Sequence, residues 1–140
     1  MAEPTSTLVP PISALVPFLH VADVERSALF YSHLGFRIGN RVPADGTIHW
    51  AWLYSPEAPE WRRGANLMLA SAERPLPPDP APVIFYLYAS NLIALRNALL
   101  QAGLQPGDIR YPPYLPLGEF TISDPDGYRL IIAQSTPDTP

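Results

Sequence analysis

Three histidines, His20, His33 and His49, are the only side chains here whose unperturbed pKa lies near neutrality. The 140 residues include no cysteine, and all nine basic residues are arginine. A thiol nucleophile, a disulfide framework, a cysteine-type zinc site and a lysine Schiff base are therefore excluded. A general base at His20, assisted by Glu119 or Arg129, would suit a lyase or isomerase that needs no metal. A metal on His20, His49 and Glu119 is a second use of the same residue types. Alternation along a strand works against it, because His49 then points away from the face that Trp50 and Trp52 share. His33 falls on a helical pattern and reads as a solvated helix residue.

Thirteen acids against nine bases give a formal net charge of −4, which disfavours a nucleic-acid partner recruited by a basic surface. No apolar run approaches the ~18 residues of a membrane span, and the first residues, Met-Ala-Glu-Pro-Thr-Ser, do not resemble a signal sequence. A cytoplasmic protein without a membrane partner is expected. Nineteen prolines far exceed the usual share of ~5 %, yet 47 % hydrophobic residues against 16 % charged argue for a packed core.

The prolines punctuate the chain. Five of them between 75 and 82 form a stiff stretch unable to join a central strand, so this segment reads as a linker. On either side the pattern repeats. An apolar strand over 16–21 leads to Asp23, a helical run over 24–34, then Gly35 and Phe36. A strand over 83–88 leads to Ser90-Asn91, a helical run over 92–102, then Gly103 and Leu104. The interval from cap to glycine is the same, and Leu19, Gly35 and Phe36 map onto Leu87, Gly103 and Leu104 at an offset of 68. Each helix thus starts at a capping side chain and stops at a glycine free to adopt the left-handed conformation. Strand-like runs follow at 36–42, 48–54 and 65–71, then at 109–111, 119–123 and 128–133, the last two joined by the turn Asp124-Pro125-Asp126-Gly127. The expected class is α+β: two tandem βαβββ modules forming a curled mixed sheet around a cleft, with the helices on the outer face. The expected organisation is a proline-rich arm over 1–13, modules over 14–74 and 83–134, the linker over 75–82, and a tail over 135–140.

With its repeat, the segment Asp23-Val24-Glu25-Arg26-Ser27-Ala28-Leu29-Phe30-Tyr31 leading to Leu34-Gly35-Phe36, and the Asp124-Pro125-Asp126-Gly127 turn, the chain resembles the vicinal oxygen chelate superfamily. That superfamily includes glyoxalase I, extradiol dioxygenases, fosfomycin resistance enzymes and bleomycin resistance proteins. The resemblance implies metal ligands at four strand positions, which here are Val16, Met68, Ile84 and Ile131. All are apolar, and a lone thioether suits a hard cation poorly, so no metal and no cofactor is expected.

Taking those four positions as cleft-facing, alternation adds Phe18, His20, Asn66, Ala70, Tyr86, Tyr88 and Arg129 to the cleft. Trp50, Trp52 and Tyr54 join from the third strand, and Glu119 and Thr121 from the run over 119–123. Leu19, Val21, Leu53, Leu67, Leu69, Val83, Phe85, Leu87, Phe120, Ile122, Leu130 and Ile132 then face the helices. Trp61, Tyr111 and Tyr114 fall on loops at the rim, and Glu119 could pair with Arg129. The expected ligand site is Phe18, His20, Trp50, Trp52, Met68, Tyr86, Tyr88, Glu119 and Arg129. Such walls favour flat, apolar or cationic ligands.

This pattern is most similar to the metal-free, dimeric bleomycin resistance proteins, through Pro17, the Trp50/Leu53 pair and Gly118-Glu119-Phe120. The resemblance implies a homodimer that sequesters a small aromatic or cationic compound such as a bleomycin-type antibiotic. The long 55–63 loop and the run Tyr111-Pro112-Pro113-Tyr114 depart from it. Two other classes stay open: an enzyme of lyase, isomerase or dioxygenase type with a site around His20, Glu119 and Arg129, and an interaction module using the aromatic surface.

Overall fold

A computed structural model describes residues 10, 12–57, 64–72 and 83–137. The 75–82 linker, Trp61 and most of the 1–13 arm lie outside the described residues. The elements run β1 (Phe18–Val21), α1 (Val24–Ser32), β2 (Arg37–Val42), β3 (Trp50–Tyr54), β4 (Asn66–Ser71), β5 (Ile84–Ala89), α2 (Leu92–Gln101), β6 (Glu119–Ser123) and β7 (Arg129–Gln134).

The repeat is written into the helix ends. The Asp23 carboxylate accepts from the Arg26 N–H at 3.1 Å, and the Asn91 side chain accepts from the Ala94 N–H at 3.0 Å. Each bond satisfies an amide that the first helical turn leaves without a partner. At the other end Phe36 N–H donates to the Tyr31 carbonyl and Leu104 N–H to the Leu99 carbonyl. Gly35 and Gly103 carry the positive φ that this closure requires. All four pairs keep the spacing of 68.

Two mixed sheets result, neither closed into a barrel, ordered β1-β4-β3-β2 and β5-β7-β6. In each, the first strand runs parallel to the last: Phe18 pairs with Met68 and Tyr86 with Ile131. The second module lacks a full counterpart of β2. The expected strand over 109–111 is reduced to a single bridge between Arg110 and Glu119, plus a bond from Gly107 N–H to the Thr121 carbonyl. Pro106, Pro112 and Pro113 surround it and have no N–H to give a ladder.

One hydrophobic core spans both modules. It contains Leu19, Val21, Leu53, Leu67 and Leu69 from the first sheet, Phe120, Ile122, Leu130 and Ile132 from the second, and Val24, Phe30, Tyr31, Leu92 and Leu99 from the helices. Each fully buried aliphatic side chain contributes roughly 1.5–3 kcal/mol. These are the residues expected on the helix side, apart from Val83, which precedes β5 and is exposed. Phe85 and Leu87 pack against this core half-buried.

Polar contacts also join the modules. The Tyr31 hydroxyl donates to Asp124 at 2.9 Å, Ser27 donates to Asp126 at 3.2 Å, and the Arg26 guanidinium pairs with Asp126 at 3.0 Å. Asp126 also accepts from the Ala22 N–H, and the Tyr128 hydroxyl donates to the His20 carbonyl at 2.9 Å. The Asp-Pro-Asp-Gly turn therefore fastens the second module to the start of α1.

Candidate functional site

The first sheet turns a row of aromatic side chains away from the helices. Register aligns Phe18, Met68 and Trp52 across β1, β4 and β3, and His20, Ala70 and Trp50 in the adjacent row. Phe18 and His20 rings lie 5.2 Å apart, and Trp52 stacks on Tyr54 at 5.2 Å with planes 21° apart. The Trp52 indole N–H donates to Asn66 Oδ1 at 3.1 Å, which fixes the ring's orientation. Gly39 on β2 lets that ring lie against the backbone: a Cβ there would stand 2.5 Å from Trp52 Cε3. Phe18 is 51 % exposed while Trp50, Trp52 and Met68 are half-buried, so this is an accessible, flat, apolar surface.

On the second sheet the corresponding rows are Tyr86, Ile131 and Thr121, then Tyr88, Ala133 and Glu119. Tyr86 and Tyr88 rings lie 5.6 Å apart and are 41 % and 43 % exposed. Glu119 is only 3 % exposed and accepts a hydrogen bond from the Tyr86 hydroxyl. Burial of the Tyr86 oxygen, together with that bond to a carboxylate, pushes the phenol above its ordinary pKa. Glu119 does not pair with Arg129. Their register partners on β7 and β6 place them at opposite ends of the ladder, four residues apart, roughly 13 Å at the strand rise.

The nine expected ligand residues thus divide into two groups. Phe18, His20, Trp50, Trp52 and Met68 share one sheet face, and Tyr86, Tyr88, Glu119 and Arg129 share the other. No ring pair or side-chain hydrogen bond among the described residues joins the groups, since the contacts between modules run through the helix side and the Asp124 turn. The His20 ring lies tilted against Phe18, with planes 56° apart, and offers no hydrogen bond to Glu119 or Arg129. His33 caps the end of α1, and exposed His49 holds Ser71 through its backbone carbonyl.

The metal positions can be judged by their chemistry. Met68 and Ile131 occupy equivalent places in the two sheets, opposite Phe18 and Tyr86, while Val16 and Ile84 are separated by the repeat distance. None of the four presents nitrogen or oxygen. Among the described residues, no three His, Asp or Glu side chains gather where an ion could be held. The donor set therefore does not fit a divalent cation.

Two features went unread in the sequence. One is the fastening of Tyr31, Ser27 and Arg26 to the 124–127 turn. The other is a recess of about 320 Å³ lined by Arg110, Tyr111, Pro112, Tyr114 and Glu119.

Residues 14–132 match the family model of the Glyoxalase/Bleomycin resistance protein/Dioxygenase superfamily. Among solved structures, TioX from Micromonospora sp. ML1 is similar over 89 % of this chain and 99 % of its own, with TM-score 0.69 and 21 % identity. A bleomycin-binding protein complexed with bleomycin is similar over 89 % and 100 %, with TM-score 0.68 and 20 % identity. TnmS3, an antibiotic binding protein from Streptomyces sp. CB03234, is similar over 91 % and 98 %, with TM-score 0.67 and 19 % identity. At these identities the likeness is one of fold. No curated protein matches the sequence significantly.

Proposed function

This chain belongs to the glyoxalase/bleomycin resistance protein/dioxygenase superfamily, and from that premise we propose that it is a metal-independent binding protein for small molecules. It sequesters a flat aromatic or cationic compound, such as a bleomycin-type antibiotic, in the cytoplasm. The observation that carries this reading is the Phe18, Met68 and Trp52 row, with Trp50 and Tyr54 beside it, in which an apolar Met68 holds one of the four positions where the resemblance would put a metal ligand and aromatic rings flank it. Two broad rings oriented by packing offer stacking surface at little cost in side-chain entropy. Relatives of the same fold that bind bleomycin or another antibiotic support the ligand class.

A homodimer is part of the proposal. Each sheet leaves its aromatic face open in a single chain: Phe18, Ile84, Tyr86 and Tyr88 are all between 41 % and 51 % exposed. A second copy facing one sheet would turn that open surface into a two-walled cleft.

Tryptophan fluorescence titrated with bleomycin and with flat aromatic compounds, before and after treatment with a chelator, tests the reading. Saturable quenching that survives chelation supports it. Stoichiometric divalent metal in the purified protein would overturn it, as would turnover of a substrate lost on His20→Ala.

A further inference from the structure

The repeat breaks down in how the first strand of each module is covered. Leu19 on β1 is 3 % exposed, whereas its equivalent Leu87 and the neighbouring Phe85 on β5 are only half-buried, although both pack on the helix side. β1 and β5 are edge strands of their respective sheets. Between the modules lies a pocket of about 170 Å³, bordered by Leu19 and Leu67 of the first sheet, Tyr31 of α1, and Phe85, Leu87 and Leu130 of the second sheet. Side chains ordinarily fill such space inside a core, so the exposure of Phe85 and Leu87 marks a shortfall in packing where the modules meet.

The chemistry of the lining is one-sided. Its polar side chains are Tyr31, Asn66 and Tyr86, and each is already committed elsewhere. The Tyr31 hydroxyl donates to Asp124 at 2.9 Å, and Tyr86 donates to Glu119. The Asn66 amide donates to the Gly64 carbonyl at 3.0 Å and accepts from Trp52 at 3.1 Å. Among the described residues, no charged side chain borders the pocket. Water there finds few partners, and a hydroxyl, amide or charge brought in by a ligand would lose its hydration without compensation. Ala65 also borders the pocket and is exposed, which leaves a way in from solvent.

We propose that this pocket binds a compact hydrocarbon group about the size of a six-membered ring. An apolar cavity of ~150 Å³ is large enough to take up benzene, and this one offers about 170 Å³. The site is separate from the open aromatic face, because Leu19, Leu67 and Leu130 belong to the core on the helix side. It requires neither stacking on tryptophan nor a second copy of the chain. Since both modules line it, its occupant binds only while they are docked and stabilises their contact.

Cyclohexane tests this, because it has no π face to stack on tryptophan and no hydrogen-bonding group. In the full-length protein, nuclear Overhauser effects should connect cyclohexane to the methyls of Leu19, Leu67, Leu87 and Leu130, while the Trp50 indole signal stays in place. The thermal unfolding midpoint should rise with cyclohexane concentration. Leu87→Trp fills the pocket from a strand that favours large aromatic residues, and should weaken cyclohexane binding at least about tenfold. Ala65 is exposed, so Ala65→Leu leaves folding untouched and should weaken it about three- to tenfold by occupying part of the same space. Absence of the Overhauser effects, or undiminished binding in both variants, overturns the proposal. Effects reaching those methyls from residues 1–9 or 73–82, or from a second copy, also overturn it, because the protein then fills its own pocket.

Discussion

The two modules share a backbone plan and differ in what they present on it. Caps, helix-ending glycines and strand register repeat at a spacing of 68, yet equivalent positions hold different chemistry. His20 corresponds to Tyr88, Phe18 to Tyr86, and by register Trp50 corresponds to Glu119 and Trp52 to Thr121. The first face is broad, apolar and held by the Trp52–Asn66 bond. The second is lined by phenols around a buried carboxylate. A duplicated fold lets equivalent positions carry different side chains, because those on the open face are free of the core's packing demands.

That contrast can be broken in stages. The largest effect belongs to the turn that holds the modules together. Asp124→Ala removes the acceptor of the Tyr31 hydroxyl and of two backbone N–H groups, so unfolding in urea should show a loss of about 3–4 kcal/mol. Next comes the stacking face: Trp52→Ala should weaken a flat neutral ligand about ten- to a hundredfold in a fluorescence titration that follows Trp50. Tyr86→Phe, on the other face, should change the same affinity less than about threefold. Comparable losses from both would erase the division of labour.

Gly39→Ala probes the same face more gently. The added Cβ collides with Trp52, so the ring must shift at a cost of about 1–3 kcal/mol, visible in near-ultraviolet circular dichroism and in weaker stacking. The smallest effect is one of pH. Burial holds the Asp124 carboxyl above the usual carboxylate range, against the pull of the Tyr128 N–H and the Tyr31 hydroxyl. A folded state that binds the proton more tightly than the unfolded chain loses stability as pH rises through that raised pKa, and regains it as pH falls towards 3.8. Wild type should therefore gain stability relative to Asp124→Asn on acidification from neutrality towards pH 4, measured by thermal unfolding. A difference that stays flat with pH contradicts this.

Much of this fold was legible because its signals are local. A capping Asp or Asn three residues before a free amide, and a glycine closing the helix, work within one turn of chain, so their recurrence exposes the repeat. Alternation then separated the core residues Leu19, Leu69, Phe120 and Leu130 from the aromatic set. What stayed hidden depends on contacts distant in sequence. Tyr31 and Asp124 are 93 residues apart, and nothing in the spacing reveals their bond. The pairing of Glu119 with Arg129 failed because β6 and β7 align Glu119 with Ala133. The strand over 109–111 failed because neighbouring prolines withhold ladder donors, and the same loop became a wall of the recess instead. Val83 failed as a core residue because it lies one position outside β5.

The most direct test observes the tryptophans themselves. The chain has three, and each indole N–H gives a separate proton–nitrogen NMR signal. With chelator present, a flat aromatic ligand such as bleomycin should shift the Trp50 and Trp52 indole signals saturably, assigned through Trp→Phe variants, and leave the amides of buried Leu92 and Leu99 in place. Shifts confined to the helix side, or shifts that appear only when a divalent cation is added, would contradict a metal-independent aromatic binding face.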